Sequence, residues 1–209
     1  MRSVADPGAV EGDLRPVTIL FADIRGFTPL ADATPGPVLI EMLDEVFEAL
    51  TVALRPRGAQ VLKFLGDGML ASFAFVDATR SETCTRALDG AAEAMRGIDR
   101  LNADRTQTGK PIAVVDLALH VGEVLYGNVG AVDRLDFTVI GPAVNEVARI
   151  ETLCERLGRK VLVSAALAAA VADRQRKVRI SKPSSGWGDR RIKCAFPLQL
   201  SQRNGSINF

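Results

Sequence analysis

The chain has 209 residues, of which 47% are hydrophobic and 24% are charged, and its formal net charge is +1. This length supports a sizeable core, and no apolar run approaches the roughly 20 residues that a membrane-spanning helix needs. The first residues lack the apolar segment of a secretory signal, and the three cysteines form no CxxC pair, which is typical of free thiols in a reducing compartment. We therefore expect a globular cytoplasmic protein without a membrane segment.

The first half of the chain alternates between strand and helix patterns. Residues 1–15 are polar and are predicted to be a flexible linker. VTILFADI (17–24) is apolar and rich in β-branched residues, which predicts a strand buried on both faces. Gly36-Pro37 opens a helical pattern that runs to about Leu54. Segment 61–75 predicts two strands around a Gly-Asp-Gly turn.

The second half continues the alternation. It predicts a helix at 78–101, strands at 112–130 and 135–141, and a second helix at 142–157. A strand at 161–164 and a short last helix at 165–174 follow. Pro142 suits the first turn of its helix, and Gly158 suits the end of it. The whole order predicts an α/β (α+β) domain over residues 16–173, with a mixed sheet packed by helices.

The last segment, 174–209, differs from the rest in charge. It holds nine Lys and Arg residues against one acid, Asp189, whereas the remainder of the chain is net acidic. A basic tail can bind nucleic acid or anionic lipid. We interpret this one as a solvated end, and we expect no nucleic-acid partner.

Two aspartates follow strand patterns. Asp23 ends the first strand, and Asp67 occupies the Gly66-Asp67-Gly68 turn. If the first strand and the hairpin are sheet neighbours, both carboxylates reach one edge, where a hard divalent cation would relieve their repulsion. For either aspartate alone an ordinary turn is the favoured interpretation, because Asp is common in turns.

Two polar residues share one face of the helix that starts at Pro142. Asn145 and Arg149 are four residues apart, so an amide and a guanidinium project together and could hold a ribose oxygen and a phosphate. Taken by themselves, these two residues are better explained by a solvated helix face. Lys63 interrupts an apolar strand, either as a solvent-facing residue or as a ligand contact. His120 is the only histidine, which excludes zinc sites that need several histidines.

Three stretches in this order resemble the class III nucleotidyl cyclases, the adenylate and guanylate cyclase catalytic domain. FADIRGFT (21–28) is similar to the family's first metal-binding stretch, KFLGDGMLASF (63–73) to its second, and FTVIGPAVNEVARIE (137–151) to its segment for substrate selection and transition-state contact. The resemblance covers about Val17 to Ala170. It implies a ferredoxin-like mixed sheet and head-to-tail homodimers that share two active sites across the interface.

The resemblance also implies roles for individual residues. Asp23 and Asp67 would bind two Mg²⁺ or Mn²⁺ ions, with the Ile24 carbonyl as a further ligand. The turn amides of Gly26, Phe27 and Thr28 would lie near the β- and γ-phosphates of ATP. The partner subunit would supply the remaining four: Lys63 and Thr138 to the purine, Asn145 to the ribose and Arg149 to the transition state.

Two positions bear on the choice of base. The resemblance to the family also bears on specificity: members that select guanine carry Glu at the position of Lys63 and Cys at the position of Thr138. A lysine only donates hydrogen bonds and adenine N1 accepts one, so Lys63 favours ATP. Thr138 stands where many relatives have Asp, and this variant resembles bicarbonate-responsive adenylate cyclases. Bicarbonate regulation is therefore a hypothesis.

The end of the chain departs from the family pattern. Residues 174–209 lack the usual terminal phrase with a basic residue near the phosphates, and Lys182, Lys193 or another basic residue of this segment could substitute. The leading interpretation is an active adenylate cyclase that makes cyclic AMP and pyrophosphate. The alternative is a catalytically silent nucleotide-binding or regulatory domain. A diguanylate cyclase is less favoured, because no GG(D/E)EF-like stretch occurs.

Overall fold

A computed structural model of the chain describes residues 13–76, 78–131 and 134–172, together with short strands between 195 and 208. These residues form a seven-stranded sheet with helices packed on both faces. In chain order the elements are β1 (Asp13–Ile24), α1 (Phe27–Ala33), α2 (Gly36–Leu54), a 3-10 turn (Arg55–Arg57), β2 (Ala59–Leu65), β3 (Gly68–Ala74), α3 (Arg80–Gln107), β4 (Val115–Ala131), β5 (Arg134–Ile140), α4 (Pro142–Glu151), α5 (Leu153–Leu157), β6 (Val161–Ser164), α6 (Ala165–Ala172), β7 (Ala195–Pro197), β8 (Gln199–Leu200) and β9 (Ile207–Asn208).

The sheet is mixed, as predicted. Its strand order is β2-β3-β1-β4-β6-β7, and β5 pairs with the second half of β4. Only the pair of β4 with β6 is parallel among the pairs described for this sheet. Strand β1 lies between β3 and β4, with Ala22 opposite Met69 and Asp23 opposite Asp116. The end of β1 therefore lies beside the start of β3 and the β2–β3 turn.

Strand β1 is buried on both faces, as its apolar sequence predicts. Leu20 and Ala22 pack into the core formed with α2, α3 and α6, whereas Val17 and Ile19 pack into the core under α4 and α5. All four side chains are at most 1% exposed. Because successive strand residues point to opposite faces, this single strand anchors both layers of helices and fixes the position of its own end.

The longest helix extends beyond its predicted end. The polar stretch after residue 101 predicts a loop, yet α3 continues to Gln107. Asn102 donates from Nδ2 to the carbonyl of Ala113, and its Oδ1 accepts from the Ala113 amide. Arg105 is 2% exposed and pairs with Glu45 of α2. These tertiary contacts hold two polar residues in helical conformation.

Other elements also differ from the sequence prediction. Strand β1 begins at Asp13, inside the predicted linker, and the short helix α1 is absent from the prediction. The predicted helix 142–157 is divided at Thr152, whose amide still donates to the carbonyl of Ala148. Helix α2 and the β2–β3 hairpin agree with the prediction.

The basic tail contributes strands to the described part of the chain. Strand β7 pairs antiparallel with β6, and β8 pairs with β9. Lys182 and Lys193, the candidates for a phosphate contact, lie outside the described residues. Within the described residues, none of the helices has the length and hydropathy that crossing a membrane requires.

Candidate active site

The two aspartates predicted to bind metal lie at one end of the sheet. Asp23 is the penultimate residue of β1, and Asp67 occupies the β2–β3 turn after Gly66, whose φ of 64° is in the left-handed region. A Cβ placed on Gly68 would lie 2.9 Å from Oδ1 of Asp23 and 3.1 Å from the carbonyl oxygen of Ala22. The Asp23 carboxylate thus contacts the backbone that directly follows Asp67, an approach that only glycine permits.

The surroundings of Asp23 disfavour its charged form. The pKa of this carboxyl is raised to about 6, first by burial and then by the negative charges of Asp67 and Asp116. A backbone hydrogen bond from Ile24 acts in the opposite direction. A divalent cation that takes oxygen ligands would neutralise the repulsion between these half-buried carboxylates.

The donor set fits Mg²⁺ or Mn²⁺ rather than zinc. The described ranges contain no group of three or more His, Cys, Asp or Glu side chains placed to hold a metal ion. The candidate ligands are two carboxylates and the backbone carbonyl of Ile24, and oxygen ligands of this kind suit hard cations, which keep several positions for water or phosphate oxygens. A bound nucleotide could therefore complete the coordination.

Three further charged residues surround the aspartate pair, and the sequence prediction missed them. Arg25 donates from Nε to Oδ2 of Asp116 at 2.8 Å and from Nη2 to Oδ1 at 2.7 Å. Glu151, the last residue of α4, has its pKa raised to about 7, first by burial and then by the charges of Asp23 and Asp116. The sequence does carry a signal for two of them. Asp116 interrupts the apolar run VDLALH (115–120), and Glu151 ends the stretch ARIE (148–151).

The turn after β1 leads directly into α1. Gly26 has a φ of 66°, and its carbonyl accepts from the amide of Leu30 at 3.3 Å. Phe27 packs against the core, whereas Gly26 and Thr28 are exposed. These three residues follow Asp23 closely in the chain, and the space beside Gly26 is open.

The two residues predicted to select the base lie on different strands. Lys63 is a half-buried residue of β2, opposite Leu70 and next to an irregularity in the β2–β3 pairing. Thr138 is a half-buried residue of β5, opposite Gly127 of β4. Strands β2 and β5 approach each other in the folded chain.

Asn145 and Arg149 are exposed on α4, and within the described residues no hydrogen bond or ion pair joins either of them to the aspartate pair. The Arg149 side chain is 56% exposed, and its Nη1 lies 3.8 Å from Oε2 of Glu146. Asn145 lines a cavity of about 880 Å³ between the start of α4, β4 and the start of α6, which neither Asp23 nor Asp67 lines. The α4 residue that interacts with the aspartates is Glu151.

Comparison with known proteins identifies the family. The model of the adenylate and guanylate cyclase catalytic domain matches residues 10–191. An adenylate cyclase of Anabaena cylindrica is 34% identical over 154 residues, which is 72% of this chain and 30% of that protein. The chain belongs to the class III adenylate and guanylate cyclase catalytic-domain family, and it spans about a quarter to three tenths of the length of the curated relatives it matches.

Solved structures of the family share the fold. The adenylyl cyclase CyaB from P. aeruginosa superposes with a TM-score of 0.73 at 21% identity, covering 93% of this chain and 98% of that one. The guanylyl cyclase Cya2 superposes with a TM-score of 0.71 at 25% identity, covering 88% of this chain and 90% of that one. Both base specificities occur among these neighbours, so the fold alone does not distinguish ATP from GTP.

Proposed function

We propose that the chain is an adenylate cyclase domain, which converts ATP into 3′,5′-cyclic AMP and pyrophosphate. The observation that carries this proposal is the arrangement of Asp23 beside the Asp67 turn, with the Asp23 carboxylate against Gly68. In a cyclase, such a pair holds two Mg²⁺ or Mn²⁺ ions. Bound ions would supply an activated ribose 3′-hydroxyl and a neutralised α-phosphate for in-line displacement of pyrophosphate.

The residues of the chain then have distinct tasks. Asp23 and Asp67 would bind the metal ions, with the Ile24 carbonyl as a further ligand. The amides of Gly26, Phe27 and Thr28 would hold the β- and γ-phosphates, since exposed backbone N–H groups beside a metal site favour anions. These groups all lie on or next to the same end of the sheet.

The second half of the site would come from a partner copy of the chain. Asn145 and Arg149 are exposed in their own chain, which suits residues that act on a nucleotide bound by another subunit. Asn145 would orient the ribose. Arg149 would neutralise charge that develops only in the transition state, and such a contact lowers the barrier more than it tightens substrate binding.

Base preference follows from hydrogen-bond chemistry. The Lys63 ammonium donates to an acceptor such as adenine N1, whereas guanine presents N1–H and N2–H₂ donors that call for a carboxylate. Thr138 has a hydroxyl that can donate or accept. Neither position offers an acidic group to guanine, and this supports ATP as the substrate.

The test is cyclic nucleotide formation by the purified chain from ATP and, separately, from GTP. We expect cyclic AMP with Mg²⁺ or Mn²⁺, with specific activity that rises over a roughly 100-fold range of protein concentration because the dimer forms by mass action. Asp67→Ala is the inactive control. Cyclic GMP as the main product would overturn the base assignment, and nucleotide binding without either product would favour a silent regulatory domain.

A further inference from the structure

Arg25 is fixed more firmly than its place in a turn requires. Its backbone amide donates to the carbonyl of Val114 at 2.8 Å. Its guanidinium forms the two bonds to Asp116 and donates from Nη2 to the carbonyl of Arg159 at 3.1 Å. One residue therefore connects the end of β1 with β4 and with the loop between α5 and β6.

The Asp116 side chain is buried, so water cannot replace Arg25 as its hydrogen-bond partner. It is 1% exposed and lies directly opposite Asp23 in the β1–β4 pairing. Burial raises the pKa of the Asp116 carboxyl, and the Arg25 guanidinium counteracts this effect. Asp67 and Asp116 both place negative charge near Asp23, and Arg25 supplies a positive charge that pairs with Asp116.

We propose that Arg25, held by Asp116 and by the Arg159 carbonyl, is a positioning residue for the metal-binding turn. Arg25 stands between Ile24, whose carbonyl is a candidate ligand, and Gly26, whose amide begins the phosphate-binding turn. Its bonds keep these backbone groups aligned with the Asp23 carboxylate. The inference rests on the function proposed above and extends it to a residue that touches neither metal nor nucleotide.

The geometry of the contact favours a role for shape as well as charge. Arginine offers a planar fork whose two parallel N–H groups match the two oxygens of a carboxylate, and a third N–H group remains for the carbonyl of Arg159. Lysine carries the same charge as a single point and cannot reproduce this set of bonds. Arg25→Lys therefore separates the charge of residue 25 from its geometry.

The decisive variant is the double replacement Arg25→Gln/Asp116→Asn. It leaves the net charge unchanged and removes both ions, so no unpaired charge stays buried. We expect Mn²⁺ binding, measured directly by electron paramagnetic resonance, to weaken by about tenfold, the size typical when outer partners of metal ligands are lost. Turnover at saturating Mn²⁺ should fall by a similar factor, and Arg25→Lys should show the same two losses.

A matched control separates positioning from general stability. Arg105 and Glu45 form another partly buried pair, between α3 and α2, and Arg105→Gln/Glu45→Gln removes it in the same charge-neutral way. This control should lower the melting temperature and leave Mn²⁺ affinity unchanged. Wild-type Mn²⁺ affinity and turnover in the Arg25→Gln/Asp116→Asn variant, with an active parent chain, would overturn the role of Arg25. A parent chain that neither binds Mn²⁺ nor forms product would instead overturn the proposed function.

Discussion

The two halves of the candidate site are built in opposite ways. At the end of β1, acidic groups are half-buried or buried and tied into their own chain, and the Asp116 side chain is 2% exposed. On the outer face of α4, the Arg149 side chain is 56% exposed. The first half is preorganised by bonds within its own chain, whereas the second half is open to contact with another molecule. This contrast supports the proposal that the active site is shared between two copies of the chain.

The largest expected effect concerns the preorganised half. Asp23→Asn keeps the shape of the side chain and removes its charge, and turnover should fall by more than about 100-fold, because even outer partners of metal ligands cost ~10–100-fold. The melting temperature without metal at pH 8 should stay equal or rise, since the raised pKa of Asp23 means that its ionised form is disfavoured in the folded chain. A clear drop in melting temperature would contradict this account.

The exposed half should respond differently. Arg149→Ala should lower kcat by about 100-fold, the loss typical of a removed transition-state donor, with a much smaller change in KM for ATP. The melting temperature should not change, because the side chain is mostly exposed. Arg156→Ala is the matched control, an exposed arginine on α5 that should retain full activity. Equal losses in kcat and in ATP affinity for Arg149→Ala would remove its transition-state role.

Mixing two inactive variants tests whether the halves come from different copies. Asp23→Asn and Arg149→Ala homodimers each lack a working site, but a heterodimer of the two keeps one intact site. With random pairing about half of the dimers are mixed, so activity should return to about a quarter of wild type. Each variant assayed alone at the same total concentration is the control. No recovery, despite mixed dimers detected by native mass spectrometry, would show that both halves act within one chain.

The smallest effect is a pH dependence of stability at Glu151. Its folded-state pKa of about 7 exceeds its ordinary value of 4.5, so between these values the folded chain holds a proton that the unfolded chain has released. The stability that this proton contributes is present below pH 4.5 and is lost as the pH rises through 7. Glu151→Gln lacks this loss, so its melting temperature without metal should exceed that of wild type increasingly from pH 4.5 to 7. A pH-independent difference would contradict the assignment.

Much of the fold could be predicted from local pattern. The apolar spacing of α2, the Gly-Asp-Gly hairpin and the β-branched run of β1 each specify their element within a few neighbouring residues. The C-terminal turns of α3 could not be predicted this way, because Asn102 and Arg105 are held by Ala113 and Glu45, which lie on other segments. Helix α1 has only seven residues and no side-chain cap, so it leaves no local signal.

The site shows the same division between local and distant information. Asp23 and Asp67 stand in short motifs, and their positions in the sheet follow from the predicted strands. The pairing of Arg25 with Asp116 spans 91 residues and depends on the β1–β4 register, which no local pattern specifies. The influence of Glu151 on Asp23 likewise depends on how α4 packs on the sheet.

Gly68 has a practical consequence for experiments on signalling. A single added methyl group at this position would meet the Asp23 carboxylate and the Ala22 backbone at distances that force one of them to move. Gly68→Ala should therefore disturb the Asp23 carboxylate, the proposed metal ligand, while it keeps every ionisable group and the formal charge of the chain. Such a variant would serve as a charge-matched inactive reference protein for reporter assays in living cells. Replacement of an aspartate, in contrast, would also change the net charge of the protein.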